Sequence, residues 1–256
     1  DDLIIATKCF APTRRGLNNA GLSRQHIMES IDNSLRRLGT DYVDLYQAHG
    51  FDPKTPIEES LRAFEDLVTA GKVRYVGCSN YPAWRLGQAL RAADGLGVSG
   101  YISLQPRYNL LYRDIETELL PLCMSEGIGV IVYNPLAGGF LSGKYKPGQQ
   151  PEGGTRFTLG TAADRYQERY WHDAQFNAVE TLKAVVEAKG LNMVSVAVAW
   201  VLKQPGITSA IIGASKPEQL DANLAAFGIE FDDELTRACE SVWWSLPKKP
   251  VAEGYR

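Results

Sequence analysis

The sequence predicts an α/β fold, a (β/α)8 barrel of which about six β/α units, the third to the eighth, are present. Three observations carry that expectation. Short apolar runs alternate with amphipathic helical patterns along the whole chain, the signature of a parallel sheet. No change of composition marks a second domain, so residues 1–256 read as one barrel domain. An open sheet of about six strands would leave two bare edges, which natural sheets avoid and a barrel closes. At roughly 30 residues per βαβ unit, the two units still needed for closure correspond to roughly 50–60 residues. The chain passes from Asp1-Asp2 almost directly into an apolar run, so the expectation places them before its start.

The elements follow in order. LIIATK (3–8) reads as a buried strand. Ser23 then caps a helix through Leu38, with Ile27, Ile31, Leu35 and Leu38 on one face and Gly39 as the stop. YVDLYQ (42–47) is a strand, followed by a helix over 56–70 that aligns Ile57, Leu61, Phe64 and Leu67. VRYVGCS (73–79), a helix after Pro82, YISLQ (101–105), a helix near 115–126 and IGVIVY (128–133) continue the alternation. A Gly-, Pro- and charge-rich loop over 136–172 comes next, long enough to suggest a cofactor or substrate loop. Helices near 173–189 and 194–203, the strand ITSAIIG (207–213) and helices over 217–226 and 232–243 complete the chain.

Composition excludes several functions. The 27 basic and 30 acidic residues leave a net charge of −3, which gives no electrostatic reason to expect nucleic acid or an anionic membrane. Met193–Leu202, the most apolar stretch, is too short to cross a bilayer. Cys9, Cys78, Cys123 and Cys239 form no C-x-x-C pair and read as reduced, buried thiols in a cytoplasmic protein. His26, His49 and His172 are isolated from one another and from acidic clusters, so no metal site is expected.

In a barrel the chemistry sits at the C-terminal ends of the strands. Those positions hold Lys8, His49, Ser79-Asn80, Gln105, Tyr133-Asn134-Pro135 and Gly213-Ala214-Ser215-Lys216. Lys8 is a surface lysine closing a strand, a Schiff-base amine, or a cation that lowers a neighbour's pKa. His49 is a satisfied polar residue at a loop entry, or a general acid/base or substrate orienter. The amides of Asn80 and Gln105 donate and accept at once, as a primary carboxamide ligand requires. Tyr133 offers a ring for stacking or a core contact. GGFLSGKY (138–145) meets the spacing of a phosphate loop, but Tyr145 replaces the metal-binding hydroxyl. The following KPGQQPEGG offers no helix for the phosphates, so these glycines read as a backbone approach to a pyrophosphate instead.

Five segments carry a further pattern: LYQAH (45–49), GKVRYVGCSN (71–80), LQPRYNLL (104–111), YNPLAGGFLSGKY (133–145) and IIGASKPEQLDAN (211–223). In order and spacing they resemble the aldo-keto reductase family, most closely the bacterial branch that is similar to potassium-channel β subunits. The resemblance covers essentially the whole chain. It implies a (β/α)8 barrel that binds NADPH in extended form, without a Rossmann fold, and moves hydride to an aldehyde or ketone.

By the same resemblance, Lys8 and His49 match the catalytic lysine and histidine of an Asp-Tyr-Lys-His tetrad. Ser79, Asn80 and Gln105 match the ligands of the nicotinamide carboxamide, and Tyr133 matches the aromatic residue stacked on its ring. Asn134, Pro135, Leu136, Gly138 and Leu141 match the loop along the pyrophosphate, with Lys144 on a phosphate and Arg156 extending the clamp. Gly213, Ser215 and Lys216 match the pocket for the adenosine 2′-phosphate, and Gln219 and Asn223 the surroundings of the adenine. A cation beside a hydroxyl suits a phosphate, which favours NADP(H) over NAD(H).

The family's Asp and Tyr lie in a D-T-A-x-x-Y-G-like segment that this sequence does not contain. The implied expectation is that these 256 residues alone are inactive or barely folded, and that a longer protein is the working reductase. The walls of the substrate site are expected from residues 136–172 and from Trp243, Trp244 and Tyr255, the two tryptophans reading equally as core anchors. The alternatives are an NADPH-binding regulatory subunit, a Schiff-base lyase using Lys8, and a phosphate-loop NTPase. The substrate within the aldehydes and ketones, and the oligomeric state, are not readable.

Overall fold

The structure, a computed structural model, describes residues 2–12, 16 and 18–248. They fall into two compact units, Asp1–Pro106 with Thr117–Val130, and Arg107–Glu116 with Ile131–Arg256. The first holds β1 (Ala6–Cys9), α1 (Arg24–Leu38), β2 (Val43–Ala48), α2 (Ile57–Thr69), β3 (Val73–Ser79), α3 (Ala83–Leu96), β4 (Ser103–Gln105), α4 (Leu119–Ser125) and the start of β5 (Gly129–Tyr133). The second holds the end of β5, α5 (Ala163–Tyr170), α6 (Asp173–Ala188), α7 (Met193–Leu202), β6 (Ser209–Ile211), α8 (Pro217–Leu224) and α9 (Asp233–Trp244). All six strands are parallel and ordered as in the chain, β1-β2-β3-β4-β5-β6, the arrangement of successive β/α units of a (β/α)8 barrel.

Local chemistry explains the elements. Ser23 Oγ accepts the His26 N–H at 3.3 Å at the start of α1. At its end Gly39 adopts a left-handed φ of 67° and donates its N–H to Leu35, a conformation that costs a glycine least. Ile27, Ile31 and Leu35 are buried along one stripe, but Leu38, expected on it, is 49% exposed at the end of the helix. In α2, Glu58 and Glu59 stand in the first turn, where the helix dipole favours anions. Asp232 caps α9 by accepting the Leu235 N–H.

The sheet of the first unit is in register across four strands. Lys8 pairs with Gln47, Gln47 with Gly77, and Gly77 with Ser103. Gly77 is required there: a Cβ would overlap Ser103 Oγ and stand 3.0 Å from the Ser103 carbonyl oxygen. The run LIIATK departs from expectation. Its ladder begins only at Ala6, and Leu3 and Ile4 are 84% and 81% exposed. On the side away from β2 no described strand covers β1, so the apolar residues preceding it have nothing to pack against.

In the second unit, the stretch expected as one long loop contains α5 and two 3-10 turns. Beneath it lies an aromatic cluster: Phe140 meets Phe176 at 4.8 Å between centroids, and Phe157 meets Trp171 at 4.9 Å. Tyr145, the residue that spoils the phosphate-loop motif, is buried in this cluster, 5.0 Å from Trp171. Full burial of each such side chain contributes about 1.5–3 kcal/mol. Arg113 fastens α9 within the same unit. It donates to Glu116 at 2.8 and 3.0 Å and to Glu240 at 2.5 Å. Trp244, read as a core anchor or a wall, is 69% exposed and so is not in the core; Tyr255 lies outside the described residues.

All four cysteines are free and buried, as expected. Burial pushes the thiols of Cys9 and Cys239 up to about 12 and that of Cys123 to about 11. Among the described residues no single helix is long and apolar enough to cross a membrane.

Candidate functional site

The register of the first unit brings one group of candidate residues together. In a strand, residues two apart share a face, and residues in register across parallel strands do so too. Lys8, Gln47, Gly77 and Ser103 therefore form one row on a single face. His49, two residues beyond Gln47, joins Ser79 and Gln105, which pair with each other, in the next row toward the C-terminal ends. Lys8 and His49 line an open pocket of about 150 Å³ that also reaches Ser30 and Arg37 of α1.

Hydrogen bonds fix this rim. Ser79 Oγ donates to the Gln105 carbonyl at 2.7 Å, and the Asn80 N–H donates to the same oxygen at 3.3 Å. Asn80 holds a left-handed φ of 59°, and its Nδ2 donates to the His49 carbonyl at 3.1 Å. Asparagine tolerates that conformation better than most residues do. The Gln105 backbone is thus committed, while its carboxamide makes no protein hydrogen bond among the described residues.

Electrostatics set the protonation states. Burial lowers the Lys8 pKa. The His49 pKa is lowered too, first by desolvation and then by the Lys8 cation. His49 is accordingly neutral at pH 7, able to donate a hydrogen bond without carrying charge. The sequence reading passed over Gln47, which is 1% exposed with both amide atoms unpartnered, and Ser103, whose buried Oγ is likewise unpartnered. The signal for Gln47 was a carboxamide at a fully buried position of an apolar strand.

The second unit carries the remaining candidates. Tyr133 ends β5 half-buried, and burial raises its phenol pKa. Asn134 takes a left-handed φ of 68°, accepts the Gly138 N–H at 2.6 Å and donates to Tyr170 Oη at 3.3 Å. Its carboxamide therefore holds the protein's own loop. Pro135 and Leu141 are buried, Leu136 is half-buried, and Lys144 is exposed with its ammonium 4.9 Å from the Tyr145 ring. Gly138 lies beneath Tyr166, where any Cβ would come within 2.6 Å of the ring, and 3.5 Å from Arg156 Cβ. No helix begins directly after Lys144, so the loop is not built as a phosphate loop.

Gly213, Ser215 and Lys216 are exposed at the start of α8, where backbone N–H groups and the helix dipole favour an anion. Ser215 donates to Gln219 Oε1 through its N–H at 2.8 Å and its hydroxyl at 3.1 Å. Asn223 Nδ2 donates to the Gln219 carbonyl at 2.6 Å, while its buried Oδ1 has no partner. Asn223 stands in the last turn of α8, at the other end of the helix from Lys216.

A sequence profile described as the Aldo/keto reductase family matches residues 1–243. The chain belongs to the aldo/keto reductase family. Such proteins are oxidoreductases that generally use NAD(P)H. Among relatives, this aldo/keto reductase is 39% identical over 237 residues to a putative voltage-gated potassium channel subunit beta of Schizosaccharomyces pombe, spanning 92% of this chain and 68% of that protein. It is 37% identical over 260 residues to a probable voltage-gated potassium channel subunit beta of Arabidopsis thaliana, spanning all of this chain and 77% of the relative. It is 35% identical over 227 residues to the L-glyceraldehyde 3-phosphate reductase of Escherichia coli K12, spanning 88% of this chain and 65% of that enzyme.

Proposed function

We propose that this aldo/keto reductase reduces aldehydes or ketones to alcohols with NADPH. The observation that carries the reading is the pair of in-register rows that put Lys8, His49, Ser79 and Gln105 on one face at the strand ends. When bound, the nicotinamide supplies the hydride. The neutral imidazole of His49 donates a hydrogen bond to the substrate carbonyl oxygen. The ammonium of Lys8, partly desolvated, stabilises the negative charge that grows on that oxygen, and a proton from solvent entering the open pocket completes the alcohol. Ser79, Asn80 and Gln105 hold the carboxamide of the cofactor, and the Tyr133 ring stacks on its nicotinamide. Lys144 and Arg156 neutralise phosphates beside the backbone at Gly138.

Cofactor choice rests on α8. Ser215 and Lys216 take the 2′-phosphate, and Gln219 and Asn223 border the adenine. A charge-assisted bond contributes about 1.5–3 kcal/mol, so Lys216→Ala weakens NADPH binding by roughly 10- to 100-fold and leaves NADH binding nearly unchanged. Quenching of tryptophan emission on titration with each cofactor measures both. Equal weakening of NADPH and NADH would refute the assignment.

The names of the potassium-channel relatives favour a second reading, a regulatory subunit that binds NADPH without turning it over. Consumption of NADPH with 4-nitrobenzaldehyde, lost in His49→Ala, separates the two. Tight NADPH binding with no aldehyde-dependent oxidation would select the regulatory subunit.

A further inference from the structure

Two residues of the first unit carry buried polar groups that hydride transfer and cofactor binding leave without a task. Gln47 is 1% exposed near the end of β2, and neither its Oε1 nor its Nε2 has a hydrogen-bond partner. Ser103 in β4 is buried too, and its Oγ has none either. A buried amide or hydroxyl without a partner is costly, and such groups are ordinarily paired. Packing does not require a carboxamide here: Leu45, two residues earlier on the same face of β2, is aliphatic and equally buried.

Polar groups stand on both sides of Gln47 in its row. Lys8 pairs with it from β1, Gly77 from β3, and Ser103 pairs with Gly77 from β4. Gly77 has no side chain to separate Gln47 from Ser103, and the Ser103 hydroxyl leans over it, into the place a Gly77 Cβ would take. On the other side Lys8 is half-buried, and among the described residues no hydrogen bond or carboxylate offsets the desolvation of its ammonium. The other titratable side chains around its pocket are Cys9, Arg37 and His49, with no carboxylate among them. Neighbouring strands stand about 4.7–4.9 Å apart, which is within the reach of a glutamine side chain.

We propose that Gln47 is a positioning residue for Lys8: its Oε1 accepts a hydrogen bond from the Lys8 ammonium, while its Nε2 donates to Ser103 Oγ across Gly77. This rests on the reductase reading above and adds a residue to that site. The bonds form by rotation of the Gln47 and Lys8 side chains, which no other side-chain hydrogen bond restrains among the described residues. One amide then satisfies both of its own orphaned atoms and the serine hydroxyl. It also tethers the ammonium one row below His49, Ser79 and Gln105. A lysine's charge otherwise rides on a flexible four-carbon stem, and a charge stabilises a growing oxyanion best when it is held in place beforehand.

The test reads the Lys8 pKa by NMR of the protein labelled with ¹³C at lysine Cε, the Lys8 signal being the one missing from Lys8→Arg. Gln47→Met, close to glutamine in volume, is expected to lower that pKa by about one pH unit, because the ammonium loses its acceptor. Ser103→Ala is expected to lower it by less, because the amide loses its anchor, and carries the test alone if Gln47→Met does not fold. With NADPH and 4-nitrobenzaldehyde, kcat of Gln47→Met is expected to fall about tenfold with KM nearly unchanged. If the wild-type protein reduces no aldehyde, the reductase reading fails and the Lys8 pKa alone decides whether Gln47 holds the ammonium. A Lys8 pKa that stays put in both variants, or a fall in kcat without any movement of that pKa, overturns the proposal and leaves Gln47 a packing residue.

Discussion

Replacing Gly77 by alanine puts a methyl group where the sheet has no room. The new Cβ would overlap Ser103 Oγ, stand 3.0 Å from the Ser103 carbonyl oxygen and 3.3 Å from Leu45 Cδ1. A Ser103 side chain can rotate away, but the backbone oxygen cannot, so the strands themselves must part by a few tenths of an ångström. Overpacking of this kind costs about 1–3 kcal/mol, and for a protein of this size each 1 kcal/mol lowers Tm by about 2–4 °C. Gly77→Ala is expected to melt lower by about 4–8 °C if the cost is near 2 kcal/mol. Ser103→Gly removes the atom most in the way and also deletes a buried hydroxyl without a partner, offsetting the entropic cost of a strand glycine. The double variant should therefore recover more than half of the loss, a coupling of about 1 kcal/mol. Thermal and urea unfolding followed by circular dichroism supply the four stabilities. Strict additivity would show that Ser103 does not fill the space above Gly77, and would refute the reasoning.

Three further outcomes follow from named contacts. His49 has a native pKa below the ordinary value of about 6.5, so its neutral form stabilises the fold; that contribution is present above about pH 6.5 and is lost as pH falls through the native value. An NMR titration should show Lys8→Met raising the His49 pKa, and no movement would remove Lys8 as a cause. Arg113→Met leaves Glu116 and Glu240 without their shared cation, but they are 32% and 37% exposed, so the expected loss in urea unfolding is about 1–3 kcal/mol rather than a fully buried pair's 3–5. Adding Glu240→Gln should restore part of it, and a further loss instead would contradict the charge argument. Phe140→Ala empties the centre of the aromatic cluster and is expected to cost about 3–5 kcal/mol in the same measurement, whereas a loss below about 1 kcal/mol would mean that the cluster repacks.

Much of the architecture was legible because its causes are local. Ser23 and Gly39 announce both ends of α1, and the run VRYVGCS coincides with β3. The strand-end residues could be named because a parallel β/α order puts function at one end of every strand. What escaped had non-local causes. Helix α5 buries only Tyr170, so it carries no apolar stripe to read. Leu3 and Ile4 look like core, but apolar side chains are buried only where another element covers them. Gln47 lies within YVDLYQ without being singled out, although one carboxamide in an apolar strand is an anomaly visible from sequence.

The buried thiols have a practical consequence. Cys9, Cys78 and Cys123 belong to the first unit and Cys239 to the second. With every sulfur shielded and its ionisation suppressed, a thiol-selective dye reacts with the native protein only when the surrounding structure opens. Chains keeping Cys78 alone or Cys239 alone would then act as two stopwatches, each timing the breathing of its own unit. Matching rates that rise together with denaturant would mean that the units come apart in one cooperative event, and diverging rates that they open independently.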